Sequence, residues 1–394
     1  MTIRQHLIDP EICIRCNTCE TRCPTGAISH DRNYVVNVDI CNFCMRCVRP
    51  CPTGAIDNWF DVETPFTLDE QHGWQFLPPR PAAADVAPPD AFDDEAADLL
   101  ARAAGAMGGA ARAPASAAHP QVNVYTRADP AHATVTGNAR ITESGTDSDV
   151  HHIILDFGSE YFPYLEGQSI GVLPPGTDAE GRPHAMRLYS VASPRDGEKP
   201  NTNNMSLTVK RVMRSDGQPG LASNWLCDMA VGDRLDVIGP FGSTYLMPDD
   251  PTTDLLMICT GTGVSPFRAF SLRRRRTAPE PGRMYLFFGA RTPEELPYFG
   301  PLQRLLQSQL HRELVYSRQP AAEREYVQDR LLQRHDLVAD ALRNPKTYIY
   351  VCGLRGLEEG VETAMAEICA RHDLDWPALR LQMCDEGRLH IETY

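Results

Sequence analysis

The sequence predicts a multidomain protein of α+β and α/β class: a small α+β module, an antiparallel β-barrel, and a doubly wound α/β unit with a parallel sheet. Three observations predict this order. A duplicated cysteine pattern occupies the first 56 residues, short apolar runs broken by Gly, Pro and Asp follow from residue 121, and strands alternate with helices beyond residue 250. Short strands with turn signals are typical of a barrel, and alternating strands and helices are typical of a parallel sheet.

The first module contains two cysteine runs with the same spacing. Each run reads C-x2-C-x2-C-x3-C-P, and the segment Cys-Pro-Thr-Gly-Ala-Ile at 23–28 returns at 51–56. This pattern holds [4Fe–4S] clusters, and the fourth thiolate of each cluster comes from the other run. The sequence therefore predicts a bacterial two-cluster ferredoxin module with an internal duplication. The predicted ligands are Cys13, Cys16, Cys19 and Cys51 for one cluster, and Cys41, Cys44, Cys47 and Cys23 for the other.

Two other uses of the cysteines fit less well. Zinc sites usually take two C-x2-C pairs with a long spacer, which the 2-2-3 spacing does not match. A disulfide framework would suit a secreted protein, but residues 1–6 contain no apolar run, so we expect a reducing cytoplasm. No stretch approaches about 20 consecutive apolar residues, so we expect a soluble protein without a membrane partner. Four of the remaining cysteines are expected to be small buried hydrophobes: Cys227, Cys259, Cys369 and Cys384.

The charge of the chain is negative and unevenly distributed. Its 52 acidic and 38 basic residues give a net charge of −14, which argues against a nucleic-acid partner. Residues 61–100 contain ten acidic side chains and one basic side chain, and residues 61–120 are rich in Pro and Ala. We expect this segment to be an acidic linker, with one amphipathic helix over residues 95–107.

The linker separates the cysteine module, residues 1–60, from two further domains. A barrel is predicted over 121–247, with one helix at 222–229, and the α/β unit is predicted over 248–394. The strands predicted for the barrel are 133–141, 152–157, 169–173, 206–212 and 234–238. In the α/β unit the predicted strands are 254–259, 284–288, 313–316 and 347–351, and the predicted helices are 264–275, 299–310, 327–342 and 357–372.

The barrel contains Arg187-Leu188-Tyr189-Ser190, which resembles the R-x-Y-[ST] flavin motif of the ferredoxin–NADP⁺ reductase family. Val209-Lys210 and Gly220-Leu221-Ala222-Ser223 resemble the next two blocks of that family, in order. The resemblance implies a site for FAD in which Arg187 meets the pyrophosphate, Tyr189 packs on the isoalloxazine ring and Ser190 approaches flavin N5. The turn at 220–223 would hold the pyrophosphate at a helix N-terminus, although Ser223 also fits an ordinary helix cap.

The α/β unit contains blocks that resemble the coenzyme site of the same family. Gly261-Thr262-Gly263 follows a strand and opens a helix, where glycines let the backbone approach a dinucleotide phosphate. No acidic residue ends the second strand; Ser317-Arg318 ends the third, and Arg324, Tyr326 and Gln328 follow. These residues resemble the family's site for the 2′-phosphate and adenine, so we expect NADPH over NADH, although Arg318 also fits a surface arginine at a strand end.

Two further blocks complete this resemblance, which covers about residues 130–394. Cys352-Gly353-Leu354 resembles the block that places a cysteine near the nicotinamide C4. The sequence closes with Glu392-Thr393-Tyr394, and the resemblance implies that Tyr394 covers the flavin until the nicotinamide displaces it, with Glu392 as the nearby acid. One departure is Arg214, which stands where the family often has a tyrosine that stacks on the adenine of FAD. The expected catalytic residues are Ser190, Cys352, Glu392 and Tyr394.

The cluster module and the reductase-like part together indicate a direction of electron flow. NADPH delivers two electrons as a hydride, an iron–sulfur cluster carries one, and FAD can do both. The expected order is therefore NADPH, FAD, the two clusters and an external acceptor.

The acceptor is suggested by a second resemblance. The fusion itself, and the opening segment 3–19 in particular, resemble the reductase components of benzoyl-coenzyme A epoxidase systems. This resemblance implies a separate diiron oxygenase as partner, and the chain has no Glu-x-x-His motif for a diiron centre of its own. Two alternatives stay open: a general NADPH-dependent reductase of electron carriers, and an electron carrier with a degenerate reductase half, which the intact motifs disfavour.

Overall fold

The computed structural model describes residues 3–10, 13–44, 46–48, 51, 55–56, 58–75, 77–78, 99, 109–110, 112–178, 180–214, 217–278, 281–303, 307–308, 310–319 and 324–394. The chain divides into two compact units, Met1–Asp90 with Ser159–Tyr161, and Ala91–Gly158 with Phe162–Tyr394. Apart from Leu99, the helix predicted over 95–107 lies outside the described residues. Within the described ranges, none of the helices has the length and apolar character needed to cross a bilayer.

The first unit is built from short strands around the cysteine repeats. The duplicated Ala-Ile pairs, at 27–28 and 55–56, are buried in both copies, so equivalent positions of the two repeats supply the small apolar core. Helix α1 (Thr18–Arg22) carries Cys19. The strands pair antiparallel, β1 (Ile3–Leu7) with β4 (Asn58–Val62) and β2 (Ile28–His30) with β3 (Tyr34–Val36).

Helix α2 (Leu68–Gly73) extends this unit beyond the boundary predicted at residue 60. The buried Gln71 side chain donates to the Val36 carbonyl at 3.1 Å and accepts from the Val36 N–H at 3.0 Å. A capping box between Thr67 and Glu70 starts the helix. The first residues of the predicted linker are therefore packed, because α2 satisfies the open edge of β3. A six-residue helix is too short for its periodicity to be visible in sequence.

The second unit begins with a six-stranded antiparallel barrel, as predicted. Its strands are β5 (Ala131–Arg140), β6 (Val150–Asp156), β7 (Ser169–Leu173), β8 (Arg187–Ser190), β9 (Asn204–Lys210) and β10 (Arg234–Phe241), in the order β8-β7-β10-β5-β6-β9. The two outer strands meet just beyond β8, where Val191 bridges Leu207 and the Ala192 N–H donates to the Ser206 carbonyl at 2.7 Å. One helix, α3 (Leu221–Asp228), packs on the barrel, which confirms this part of the predicted fold.

A doubly wound parallel sheet follows in the same unit, also as predicted. Successive side chains of the central strand alternate between two cores, with Leu256 and Ile258 in one and Leu255 and Met257 in the other. The strands are β11 (Asp254–Thr260), β12 (Met284–Ala290), β13 (His311–Tyr316), β14 (Thr347–Gly353) and β15 (Leu389–Thr393), in the order β13-β12-β11-β14-β15. The helices are α4 (Val264–Thr277), α5 (Phe299–Gln303), α6 (Val327–Gln333), α7 (His335–Arg343), α8 (Gly356–Arg371) and α9 (Trp376–Asp385).

Parts of this sheet differ from the sequence prediction. The helix predicted over 327–342 is two helices, α6 and α7, divided at Arg334. The helix predicted over 299–310 is present as α5, and residues 304–306 and 309 lie outside the described part. Helix α9 and strand β15 are additional; Pro377, which suggests a turn, occupies the first turn of α9, where its missing N–H costs nothing.

Residues 109–110 and 112–120, which lie in the predicted linker, pack against the α/β part. The Ala110 N–H donates to the Leu389 carbonyl at 2.6 Å, so this segment pairs with the outer edge of β15. A Cβ added at Gly109 would lie 2.6 Å from the Ile391 nitrogen, so the backbones are in close contact there. The Ser116 hydroxyl accepts from the Asp250 N–H at 3.2 Å. The linker therefore ends before residue 109.

Candidate functional site

The eight cysteines of the first unit line two cavities. The lining of each cavity contains four of these thiols. In each, three cysteines come from one run and the fourth comes from the other run, which is the crossed arrangement predicted from the spacing. Four thiols around one space match the donor set of a four-iron cluster. The two sets are Cys13, Cys16, Cys19 and Cys51, and Cys23, Cys41, Cys44 and Cys47.

The two cysteine loops share an unusual backbone conformation. Arg15 and Phe43 occupy the same position in the two repeats, and both have left-handed φ values, 53° and 54°. Non-glycine residues rarely adopt this conformation, which turns the chain sharply so that neighbouring thiols face one cavity. At the end of the first run the Ala27 N–H donates to Cys23 Sγ at 3.3 Å. The local backbone thus directs these sulfur atoms inward and supplies a hydrogen-bond donor to one of them.

The flavin motif on β8 is fixed to the first helix of the coenzyme domain. Ser265 Oγ donates to the Ser190 carbonyl at 2.8 Å, and Arg268 donates to the Ala192 carbonyl at 2.8 Å. Tyr189 packs against the barrel core, and burial raises the pKa of its phenol. Arg187 is exposed beside it on the same strand. Two hydrogen bonds therefore join the strand that carries the flavin motif to the helix after Gly261-Thr262-Gly263.

The turn predicted to hold the flavin pyrophosphate forms the start of α3. Gly220 is the N-cap, and it has no side chain to pair with the first-turn N–H groups. Ser223 does not cap this helix; its hydroxyl accepts from the Val212 N–H at 3.2 Å and fixes the preceding loop. The Asn224 amide donates to the Gly220 carbonyl at 2.8 Å. An uncapped helix start held in this way fits an anion such as a pyrophosphate.

The glycines of the coenzyme motif allow close backbone contact. A Cβ added at Gly263 would lie 2.1 Å from the Cys352 carbonyl oxygen, and one added at Gly353 would lie 2.5 Å from Thr260 Oγ1. Any side chain at these positions would push β14 away from the first βα turn. Cys352 is buried, and burial raises the pKa of its thiol well above the usual range. Its thiol is therefore neutral at pH 7.

Three predicted catalytic residues lie at the carboxyl ends of β14 and β15. Cys352 is in register with Glu392 on the neighbouring strand. Loss of solvent around Glu392 raises the pKa of its carboxyl to about 8. Tyr394 is half exposed, its N–H donates to the Gly353 carbonyl at 3.0 Å, and its hydroxyl lies 2.7 Å from Thr262 Oγ1. Tyr394 is thus held against both the Gly261-Thr262-Gly263 turn and the Cys352-Gly353-Leu354 segment.

A cleft of about 800 Å³ collects the residues predicted to bind the coenzyme phosphate and adenine. Four of its lining residues are cationic: Lys210, Arg291, Arg318 and Arg324. Desolvation and the Arg291 charge lower the pKa of Lys210, and the Glu295 carboxylate partly offsets this lowering. Predicted residues that line the cleft are Lys210, Gly261, Ser317, Arg318, Arg324, Tyr326, Gln328 and Leu354, while Thr262, Gly263 and Gly353 are not among the lining residues.

Sequence reasoning missed Arg291, Glu295 and Ser148, which also line this cleft. Arg291 directly follows β12, and its carbonyl accepts from the Arg318 N–H at 2.8 Å. Ligands of doubly wound sheets bind outside the carboxyl ends of the strands, so the position of Arg291 could have been noticed from the predicted strand end. Ser148 lies in the loop before β6, and no sequence signal connects it with the cleft.

Two family models match the chain. A model of the oxidoreductase NAD-binding domain matches residues 257–363, and a model of the 4Fe-4S binding domain matches residues 6–29 and 34–57. The first match contains the coenzyme motif at 261–263, and the second contains the two cysteine runs.

Known reductases match more than two thirds of this chain over most of their own length. The cyanelle ferredoxin–NADP reductase of Cyanophora paradoxa is 36% identical over 291 residues, which are 69% of this chain and 79% of that protein. The ferredoxin–NADP reductase of Thermosynechococcus vestitus is 36% identical over 290 residues, 69% of this chain and 75% of that protein. A solved ferredoxin–NADP⁺ reductase from Plasmodium falciparum shares the fold, with a TM-score of 0.56 at 22% identity over 69% of this chain and 99% of that one. The chain therefore belongs to the ferredoxin–NADP reductase family and is an NADP-dependent flavoprotein oxidoreductase of electron transport with a 4Fe–4S binding domain ahead of its reductase part.

Proposed function

We propose that this chain oxidises NADPH at FAD and passes single electrons through two [4Fe–4S] clusters to a separate diiron oxygenase that epoxidises benzoyl-coenzyme A in aerobic benzoate degradation. The main support for this electron route is the pair of cavities, each lined by four cysteines. The same chain also contains the reductase motifs. FAD joins the two halves because it accepts a hydride and releases electrons singly. The proposed setting is the cytoplasm, where thiolates stay reduced.

In this proposal the cationic cleft selects NADPH. Arg318 and Ser317 bind the 2′-phosphate, with Arg324 as a second cation and Tyr326 against the adenine. Arginine suits this role because its planar guanidinium donates two hydrogen bonds to a phosphate. Lys210 and Arg291 also line this cleft, so we assign these two cations to the dinucleotide pyrophosphate.

The nicotinamide end is assigned to Cys352, Glu392 and Tyr394. The close backbone contact between Gly263 and Cys352 fixes the position of Cys352 relative to the first βα turn. The raised pKa of Glu392 keeps a proton on its carboxyl at pH 7, so this group is a neutral hydrogen-bond donor. We assign to Tyr394 the part of a cover that must leave before the nicotinamide can enter.

Each cluster is assigned to its own cavity and its own crossed set of four cysteines. Cys16 is exposed, and Ile14 beside it is 63% exposed, so one cavity has an apolar and accessible rim. Such a rim fits an electron-transfer partner that docks transiently over the cluster. The assignment of a benzoyl-coenzyme A oxygenase as the electron acceptor is supported by the resemblance of residues 3–19 and by the fusion of the two modules.

A second function has its own support. The relatives at 36% identity are named for ferredoxin, so a general NADPH-dependent reductase of electron carriers is the competing assignment. The two assignments differ only in the acceptor and share every cofactor site.

The deciding experiment combines the purified chain, NADPH and oxygen with the candidate oxygenase and benzoyl-coenzyme A. We expect NADPH oxidation that depends on benzoyl-coenzyme A and forms the epoxide. A fragment of residues 109–394 is the matched control, because it retains the segment that pairs with β15 but lacks every predicted cluster ligand. It should reduce ferricyanide with NADPH and fail to support epoxidation. Full coupled turnover by the fragment would contradict the route through the clusters, and reduction of carriers alone by the whole chain would favour the general reductase.

A further inference from the structure

We propose that His335, Asp336 and His372 form a binding site for a borderline divalent transition metal, zinc in particular, on the α/β part of the second unit. His335 and Asp336 open α7, and His372 directly follows α8. One imidazole nitrogen from each histidine and one carboxylate oxygen converge, all three within 4.8 Å of one another. None of the three residues belongs to the coenzyme cleft or to the cysteine cavities.

The distances between the three donor atoms match one small cation. His335 Nδ1 lies 2.9 Å from His372 Nε2, and Asp336 Oδ1 lies 3.3 Å and 3.5 Å from these two nitrogens. Donors held at about 2.0–2.2 Å around a tetrahedral zinc ion are separated by roughly 3.3–3.6 Å. Two of the three edges already have this length. The third needs to open by a few tenths of an ångström, which a side-chain rotation supplies.

The contact between the two imidazoles is also compatible with metal binding. Two ring nitrogens 2.9 Å apart can share only one hydrogen, so one of them directs its lone pair at the other. A neutral imidazole is the form that binds metal, and the Asp336 carboxylate supplies a negative charge to offset the dication. When a metal takes the place of the shared hydrogen, that hydrogen moves to the other nitrogen of its own ring, so both imidazoles stay neutral and both facing nitrogens bind the metal.

Backbone hydrogen bonds hold His372 independently of any metal. The His372 N–H donates to the Cys369 carbonyl at 3.1 Å, and the His372 carbonyl accepts from Arg343 at 3.0 Å. The side chain of His372 is 17% exposed and that of Asp336 is 83% exposed, so the site is open on one side. A zinc ion would therefore have three protein ligands and one position for water.

The donor set also defines which cations should bind. Two imidazoles and one carboxylate suit zinc, nickel or cobalt, whereas magnesium and calcium prefer all-oxygen sites. The site lies at the far end of α8 from Gly356, which lines the coenzyme cleft. Sixteen helical residues place about 24 Å between these ends, so zinc should fasten α7 to the end of α8 without contacting the coenzyme.

The test uses the whole protein with its clusters intact. Zinc is titrated into the protein, and its affinity and stoichiometry are measured by isothermal titration calorimetry. In a separate sample with one equivalent of zinc, the ligands of the metal are identified by X-ray absorption at the zinc edge. We expect one-to-one binding and a nitrogen and oxygen shell with two imidazoles. A sulfur shell would mean that zinc binds cysteines and would overturn the proposal, as would an absence of one-to-one binding.

Variants locate the site. His335→Gln and His372→Gln should each weaken zinc affinity by about tenfold or more, and Asp336→Asn, at an exposed position, should weaken it less. His132→Gln is the matched control, because His132 lies 2.9 Å from the carboxylate of Asp236 but has no second histidine in that pair. Equal zinc affinity in all four variants would contradict the proposal. Turnover of NADPH with ferricyanide should be unchanged in His335→Gln, which separates this site from the coenzyme site.

Discussion

The hydroxyl of Tyr394 lies 2.7 Å from Thr262 Oγ1, which ties the aromatic residue predicted to cover the flavin to the first βα turn of the coenzyme domain. The same tyrosine is held by its N–H at the carbonyl of Gly353, in the motif that contains Cys352. Entry of a nicotinamide ring at this place would require the Tyr394 ring to leave Thr262, while the backbone bond to Gly353 can remain.

Replacing Tyr394 with Ser is expected to strengthen binding of NADP⁺ and to narrow the preference for NADPH over NADH. The ring no longer competes with the nicotinamide for the same space, so the weaker coenzyme gains most. Titration of NADP⁺ and the ratio of kcat/KM values for the two coenzymes measure this effect. Tyr394→Phe removes only the bond to Thr262 and should keep most of the preference. An unchanged ratio in Tyr394→Ser would place the gate elsewhere.

Replacing Arg318 with Ala is expected to lower kcat/KM for NADPH by about tenfold to hundredfold and to leave NADH use nearly unchanged. Only NADPH has the 2′-phosphate with which the guanidinium can pair. Steady-state kinetics with both coenzymes measures the difference. Arg371→Ala is a suitable control, because Arg371 pairs with Glu367 at the surface and is not among the residues lining the cleft. An equal loss with both coenzymes would show a structural role for Arg318.

The crossed ligand sets predict a reciprocal outcome for two cysteine variants. Cys23→Ala should remove the cluster whose other ligands are Cys41, Cys44 and Cys47, and Cys51→Ala should remove the other cluster. Each variant should lose about four of about eight irons. Iron analysis with electron paramagnetic resonance of the reduced protein distinguishes the two. Cys384→Ala, outside both cavities, should retain all iron. Loss of the cluster in the variant's own cysteine run would contradict the crossed assignment.

His390 predicts an acid-dependent loss of stability. It is buried and stacks on Tyr350 with ring centroids 4.8 Å apart, and desolvation lowers its pKa to about 4. Between pH 6.5 and 4 the unfolded chain binds a proton that the folded protein does not, so stability falls as pH falls through this window. The free energy of unfolding falls by up to about 3 kcal/mol across this window. The difference between the calorimetric Tm values at pH 7 and pH 5 should be smaller in His390→Phe than in the native protein.

The control for this pH effect is His132→Phe, since His132 is largely exposed. That variant should keep the native difference between the two Tm values. An identical pH dependence in His390→Phe would mean that another group causes the acid loss.

The cofactor sites could be proposed from the sequence because the chemistry of their motifs depends on local spacing. Eight cysteines at repeated 2-2-3 spacing, the glycines of the first βα turn and the arginine after the third strand all lie within short segments. The fold class was readable for the same reason, because the periods of strands and helices are local properties. These features needed no knowledge of how distant segments pack.

Tertiary structure alone decided the features that depend on contacts between distant segments. Arg291 and Ser148 join the cleft only because strand ends and a barrel loop meet there. Ala110 lies in the predicted linker but is packed, because the edge of β15 offers a backbone hydrogen bond that composition does not reveal. The same holds for His335 and His372, which are 37 residues apart and become neighbours only when α7 packs beside the end of α8. Local spacing therefore determined which cofactors the chain can hold, and long-range packing determined which further side chains surround them.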